Sequence, residues 1–144
     1  TEPRTKYRGE ASLPLILQNS HRYFMYLAVL FIVFHTYDTV HTFCFENPAT
    51  GVKEFGFGVG SLVLLTDVVL LSCYVFGCHS FRHLIGGVLD LFSKSPVRAK
   101  AYECSSCLNR AHVFWAWISL VWVAFSDIYV RLCSMGVWTD WRIF

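Results

Sequence analysis

Three long apolar stretches are the feature that most constrains how this chain can fold. They cover about residues 22–43, 56–80 and 111–132 of the 144-residue sequence. Each has close to the ~20 residues that an α-helix needs to cross the hydrocarbon core of a bilayer. Only helices and closed barrels satisfy their backbone hydrogen bonds in lipid, and these stretches are too long for barrel strands. The sequence therefore predicts three transmembrane helices.

The composition agrees with this prediction. Hydrophobic residues make up 55% of the chain and charged residues only 15%, whereas about a quarter of the residues of a typical soluble domain are charged. The predicted fold is all-α, an integral membrane three-helix bundle in which residues 1–144 form a single membrane domain. The aromatic residues, 17% of the chain, are expected to face lipid and the membrane interface, and no nucleic acid partner is expected.

The distribution of positive charge predicts the orientation of the helices. Nine of the twelve Lys and Arg residues lie within residues 1–22 or between the second and third stretches: Arg4, Lys6, Arg8, Arg22, Arg82, Lys94, Arg98, Lys100 and Arg110. Because loops rich in Lys and Arg remain in the cytoplasm, the N-terminus and the second loop are predicted to be cytoplasmic. The first loop, about residues 44–54, and the C-terminus are predicted to lie outside.

On this topology, four histidines and one cysteine fall at the cytoplasmic ends of three helices. They are His21, Cys78, His79, His83 and His112. Histidine is costly in a membrane segment and usually faces a bundle interior, a cofactor or an ion path. His79 and His83 are four residues apart and share a helix face, and Cys78 and Arg82 share a neighbouring one. A thiolate, imidazoles and a guanidinium together favour a metal centre beside a polar, reducible ligand.

Three further features leave more than one interpretation open. Asp67 lies deep in the second stretch, where a buried carboxylate indicates either a proton path or a hydrogen bond to a neighbouring helix. Gly56, Gly58 and Gly60 are interpreted as small residues that let helices approach closely. The Cys104/Cys107 pair is a weak zinc signal by itself and is expected to remain as free thiols.

Several segments resemble the membrane-anchor (cytochrome-b-like) subunit of actinobacterial-type succinate dehydrogenase, respiratory complex II. The resemblance covers nearly the whole chain and rests on the order of segments that are each unspecific: Pro14–Phe24, Thr36–Asp38, Phe55–Gly58, Cys78–His83, Phe92–Lys94, Pro96–Arg98, Asn109–His112 and Phe114–Trp117. The family's anchor is longer, with two further helices before the region matched here.

The resemblance implies an anchor that passes electrons from an iron–sulfur subunit to membrane quinone. Its expected partners are lipid, the flavoprotein and iron–sulfur subunits of the dehydrogenase, and a further membrane chain that supplies the two missing helices. The complex would be an enzyme, a succinate dehydrogenase or fumarate reductase, with this chain as a non-flavin subunit. Its expected location is the plasma membrane of a bacterium, with the soluble partners on the cytoplasmic face.

Within this resemblance, two cofactors are compared. A Rieske-type [2Fe–2S] centre uses two cysteines and two histidines, and it is preferred, with Cys78, His21, His83 and His112 as candidate ligands and a second cysteine from a partner helix. Haem b is the alternative. It is disfavoured because the histidines lie at helix ends and because Asp90 follows His83 by seven residues, unlike the common complex II motif.

The remaining polar groups at these helix ends are predicted to bind the quinone: His79, Ser80, Arg82 and Arg22. Two alternative functions stay open at this point. The chain could be a haem b-binding cytochrome subunit of another quinone-linked oxidoreductase, or a non-redox membrane protein such as a channel or an assembly factor.

Overall fold

Three helices of the structure are long and apolar enough to cross a membrane. The structure, a computed structural model, describes residues 13, 15–46, 51–86 and 95–143. Within these ranges the three spans are α1 (Leu15–His41), α2 (Val59–Phe76) and α5 (His112–Ser134). The all-α membrane fold predicted from the sequence is thereby confirmed. The predictions made for Arg4, Lys6, Arg8, Asp90 and Lys94 concern residues outside the described ranges.

The helix bounds differ from the predicted ones at two places that matter for function. α1 begins at Leu15 rather than near residue 22, so His21 lies inside the helix instead of at its start. α2 ends at Phe76 rather than near residue 80, because the chain turns at Gly77 and Cys78.

The polar stretch between the second and third spans is not simply a loop. It contains α3 (His79–Gly86) and α4 (Pro96–Arg110). Pro96 occupies the first turn of α4, where its missing N–H costs nothing and its fixed φ suits a helix. The first loop also holds structure, since β1 (Cys44–Glu46) and β2 (Lys53–Phe55) pair as a short antiparallel hairpin.

The chain divides into two compact units. Unit 1 comprises Thr1–Leu30 and Val75–His112, and unit 2 comprises Phe31–Tyr74 and Val113–Phe144. Unit 1 therefore contains the first half of α1, the end of α2, and α3 and α4. Unit 2 contains the second half of α1, most of α2 and α5, and the hairpin.

In unit 1, two side chains of α4 donate hydrogen bonds to carbonyl groups at the end of α2 and in the turn that follows it. The last carbonyls of any helix lack partners within the helix. Ser105 Oγ donates to the carbonyl of Phe76 at 2.8 Å, and Asn109 Nδ2 donates to the carbonyl of Gly77 at 2.7 Å. These two side-chain bonds fix the place where the chain leaves α2 and enters α3.

In unit 2, the C-terminal segment returns to the start of α2. The bonds from Gly136 N–H to Cys133 O and from Val137 N–H to Leu132 O form a Schellman motif that ends α5. Gly136 adopts the positive φ of 73° that this motif needs. The chain then turns back, and Asp140 Oδ1 accepts a 2.8 Å bond from the N–H of Gly60.

This return explains two of the glycines at the start of α2. A Cβ added at Gly60 would lie 2.8 Å from Asp140 Oδ2, and one at Gly58 would lie 3.2 Å from the same atom. The interpretation of these glycines as helix-approach positions is therefore wrong for Gly58 and Gly60. They make room for a carboxylate that caps α2.

Candidate functional site

The turn between α2 and α3 places Cys78 beside α1. His21 Nε2 lies 3.0 Å from Cys78 Sγ. The cysteine is only 4% exposed, whereas the histidine is exposed. The carbonyl of Cys78 accepts a 3.1 Å bond from the N–H of Arg82 and so begins the α3 hydrogen-bond ladder. The turn that ends α2 thus also aims the first residues of α3.

Along α3, polar side chains occupy both an exposed and a buried face. His79 and His83 are both exposed, and their ring centroids lie 5.2 Å apart in an edge-to-face arrangement, as their i, i+4 spacing predicts. Ser80 points the other way and is 4% exposed. We call His21, Cys78, His79, Arg82 and His83 the α3 cluster.

Arg82 is held by the neighbouring helix. Its guanidinium carbon lies 5.8 Å from the centroid of the Tyr102 ring on α4, a cation–π distance. Gly86 allows this contact between α3 and α4, because a Cβ there would approach Tyr102 Cδ2 to 2.6 Å. The guanidinium is therefore positioned by packing.

Electrostatics in the α3 cluster favour a neutral His79. Partial burial of the imidazole lowers the pKa of His79 below its usual 6.5, and positive charge on neighbouring groups lowers it further. These groups, in decreasing order of effect, are His83, His21, Arg82 and His112. At neutral pH the His79 ring is thus an uncharged group that can donate or accept a hydrogen bond.

The two other predicted site residues lie at the margin of the cluster. His112 is the first residue of α5 and is half-buried in unit 1. Arg22 follows His21 in α1 and is exposed. Since consecutive helical residues do not face the same direction, Arg22 and His21 leave α1 on different sides.

The described residues of this chain do not complete the donor set of a Rieske-type cluster. Such a centre needs two cysteine thiolates and two histidines, whereas the contact seen at Cys78 is with one histidine, His21. Cys104 and Cys107, the other cysteines of unit 1, are free and exposed on α4. Across the described residues, no group of three or more His, Cys, Asp or Glu side chains is close enough to hold a metal ion. The structure gives the Rieske-type cluster no support.

Unit 2 contains a polar cluster that sequence reasoning did not assemble. His35 Nε2 lies 2.8 Å from Asp67 Oδ2, and Ser126 Oγ donates to the same oxygen at 3.2 Å. Each residue is visible as a polar position in an apolar stretch, and the sequence alone indicates either a proton path or an interhelical hydrogen bond for Asp67. The observed bonds join α1, α2 and α5 over long sequence separations, which no spacing rule within one helix reveals.

Comparison with known proteins identifies the family. The family described as actinobacterial succinate dehydrogenase subunit SdhC matches residues 1–136. The chain belongs to this SdhC family. A chain of the Mycobacterium smegmatis Sdh1 complex in the apo form is similar, with 44% sequence identity and a TM-score of 0.78. No curated protein matches the sequence significantly.

The match to the solved structure is one-sided in length. It covers 100% of this chain but only 52% of the Mycobacterium smegmatis chain. The present chain therefore spans about half the length of that chain. Membership of the SdhC family confirms the resemblance noted from the sequence.

Proposed function

We propose that this chain is the membrane anchor of a succinate:quinone oxidoreductase, and that electrons from the iron–sulfur partner reach membrane quinone at the α3 cluster. The observation that carries the proposal is the placing of polar and cationic groups directly after a membrane span. His21, Cys78, His79 and Arg82 gather where α2 ends and α3 begins. A quinone is apolar but needs polar partners at its two carbonyl oxygens, so a site at the end of a span suits it.

The chemistry follows from the charge that develops on the quinone. Reduction adds two electrons and two protons, and negative charge grows on the carbonyl oxygens before the protons arrive. Preorganised donors aimed at such oxygens stabilise the reduced form. In the proposal, Arg82 and Ser80 donate hydrogen bonds to the quinone, and His79 gives or relays a proton. Arg22 is a further candidate donor from α1.

The proposed orientation places the α3 cluster in the cytoplasmic half of the membrane. The positive-inside rule supports it, because Arg98, Lys100 and Arg110 all lie on α4, which packs against the end of α2. The flavoprotein and iron–sulfur subunits would dock on this face of a bacterial plasma membrane.

Quinone is the cofactor that family membership supports best. Haem b stays the alternative, because it requires two axial histidines rather than a mixed donor set. The assignment of Cys78, His21, His83 and His112 as metal ligands stays a prediction, and no step is derived from it. Low-temperature EPR and visible spectra of the dithionite-reduced complex test both cofactors.

The proposed function is tested by separating quinone reduction from succinate oxidation. In the purified complex, Arg82→Gln and His79→Gln are expected to lower kcat/KM for quinone on the order of tenfold or more, because each removes a group that stabilises the reduced quinone. Succinate-dependent reduction of a water-soluble artificial acceptor should stay unchanged, since it needs only the soluble subunits.

His41→Gln is the matched control, because His41 ends α1 in unit 2 and is exposed. This variant should keep both activities. Full quinone reduction by both α3 variants would refute the proposed site, and equal loss of both activities would instead indicate failed assembly.

A further inference from the structure

Unit 2 contains a buried carboxylate whose hydrogen-bonding capacity is only partly used. The side chain of Asp67 is 2% exposed. Its Oδ2 atom has His35 as a close partner, but Oδ1 is buried and has no hydrogen-bond partner among the described residues. An ionised carboxylate accepts at both oxygens, at about four lone-pair sites. An ionised Asp67 would therefore be strongly under-satisfied.

The hydroxyl of Ser126 supplies little of the hydrogen bonding that an ionised Asp67 would need. It has a single proton, which can go to Asp67 Oδ2 at 3.2 Å or to the carbonyl of Val123 at 2.9 Å. The shorter contact is to the carbonyl. Burying a charge without full pairing is expensive, so uptake of a proton by the carboxyl group, with His35 as its hydrogen-bond partner, would lower the cost of burying Asp67.

The histidine connects this buried group to the outside of unit 2. The side chain of His35 is 30% exposed, and Nε2 is the ring nitrogen that faces Asp67. An imidazole has a second ring nitrogen, Nδ1, and can accept a proton on one nitrogen while releasing one from the other. The geometry is that of a relay with an exposed end and a buried end.

A cavity of about 380 Å³ adjoins the pair. Its polar lining includes His35, Asp67 and Ser126 together with Asp38 on α1 and Asp127 on α5. Asp38 and Asp127 lie towards the ends of α1 and α5, and Asp67 lies eight residues after the start of α2, or ~12 Å along its axis. The cavity therefore extends from the buried carboxylate towards the end of unit 2 where α2 begins.

The charges around the cavity favour an added proton. Besides the pair itself, the titratable groups that line the cavity are Asp38 on α1 and Asp127 on α5, and Asp127 is paired with Arg131. Asp127 is neutralised in part by Arg131, whose Nε lies 2.9 Å from Oδ2. Asp38 leaves negative potential beside His35. A metal cation would need several more oxygen ligands than this cavity gathers, whereas a proton needs only the pair.

We propose that the His35–Asp67 pair is a proton-binding site that exchanges its proton with water through this cavity. Uptake adds one proton to the pair, and release returns it to the cavity, with no change in any other bond. The site does not depend on the proposed quinone chemistry, since it lies wholly in unit 2 and its residues are separate from the α3 cluster.

The test is pH-induced infrared difference spectroscopy on the purified complex that contains this chain. Acidification of the wild type is expected to raise a C=O stretching band of a protonated, buried carboxyl group, and this band should be lost in Asp67→Asn. Perfusion with D2O should shift the band promptly, because the cavity gives water access to the pair. A wild type without such a band, or a band that D2O does not shift, would overturn the proposal.

Two variants keep the assignment testable even if Asp67→Asn fails to assemble. Asp127→Asn is the matched control, because Asp127 lines the same cavity but is exposed and paired with Arg131, so the band should persist. His35→Gln replaces the close partner of Asp67 Oδ2 and should shift the band position. Loss of the band in Asp127→Asn, or an unshifted band in His35→Gln, would assign the signal to another carboxyl group and contradict the proposal.

Discussion

At the scale of single residues, the two units share an arrangement in which a partly exposed histidine contacts a buried acidic group. In unit 1 the pair is His21 and the thiol of Cys78, 3.0 Å apart. In unit 2 the pair is His35 and the carboxyl group of Asp67, 2.8 Å apart. In each case the histidine lies on α1 and the acidic group lies on or just after α2. In each pair the histidine is the more exposed member.

The lowered pKa of His79 predicts how stability depends on pH. In the unfolded chain the imidazole binds a proton near pH 6.5, but in the fold partial burial and the neighbouring positive charges resist that proton. The unfolded state therefore binds more protons as the pH falls through 6.5, and the folded state loses stability there. Above this pH the histidine is neutral in both states and contributes nothing.

His79→Gln should consequently lose less stability on acidification than the wild type. The measurement is the thermal midpoint of the purified complex about one pH unit above and below 6.5. Arg82→Gln should act in the same direction, because it removes one positive charge near His79. An acid-induced drop in His79→Gln as large as that of the wild type would contradict the account of His79.

At the scale of secondary-structure elements, α4 determines where α2 stops. Hydropathy alone would extend the second span further, since the apolar stretch continues beyond Phe76. The helix ends earlier because the side chains of Ser105 and Asn109 on α4 donate hydrogen bonds to the carbonyls of Phe76 and Gly77. This tertiary capping creates the turn that carries Cys78 and separates α3 from α2.

Neighbouring serines on α4 allow a matched test of this capping. Ser105→Ala should destabilise the complex by about 1 kcal/mol, because it removes a hydrogen bond and leaves the Phe76 carbonyl unpaired. Ser106→Ala should cause no loss, since Ser106 Oγ is buried without a hydrogen-bond partner among the described residues. The thermal midpoints of the two variants provide the comparison. Equal destabilisation by both would contradict a capping role for α4.

The same elements show how much the sequence can predict. The three spans follow from apolar length, and the pairing of His79 with His83 follows from helical spacing. The contacts of His21 with Cys78 and of His35 with Asp67 join residues 57 and 32 positions apart, so no local pattern contains them. The sequence did not predict α4 as a helix, because its polar residues leave no apolar stripe wide enough to distinguish a helix from a loop.

At the scale of the whole molecule, the chain is a member of the SdhC family whose polar clusters fall in two separate units. Unit 1 holds the α3 cluster, with two exposed histidines and a guanidinium positioned by an aromatic ring. Unit 2 holds the buried carboxylate and its cavity. The SdhC family match covers residues 1–136 and so includes both. We propose quinone chemistry at the α3 cluster of unit 1 and proton binding at the His35–Asp67 pair of unit 2.

The central claim, that quinone binds at the α3 cluster, is tested most directly by photoaffinity labelling. The purified complex is illuminated with an azido-quinone analogue, and the labelled peptides of this chain are mapped by mass spectrometry. The account predicts labelling within Phe76–Gly86 that excess unlabelled quinone displaces and that Arg82→Gln weakens. Labelling confined to unit 2, or displaceable labelling of the other subunits with none on this chain, would contradict it.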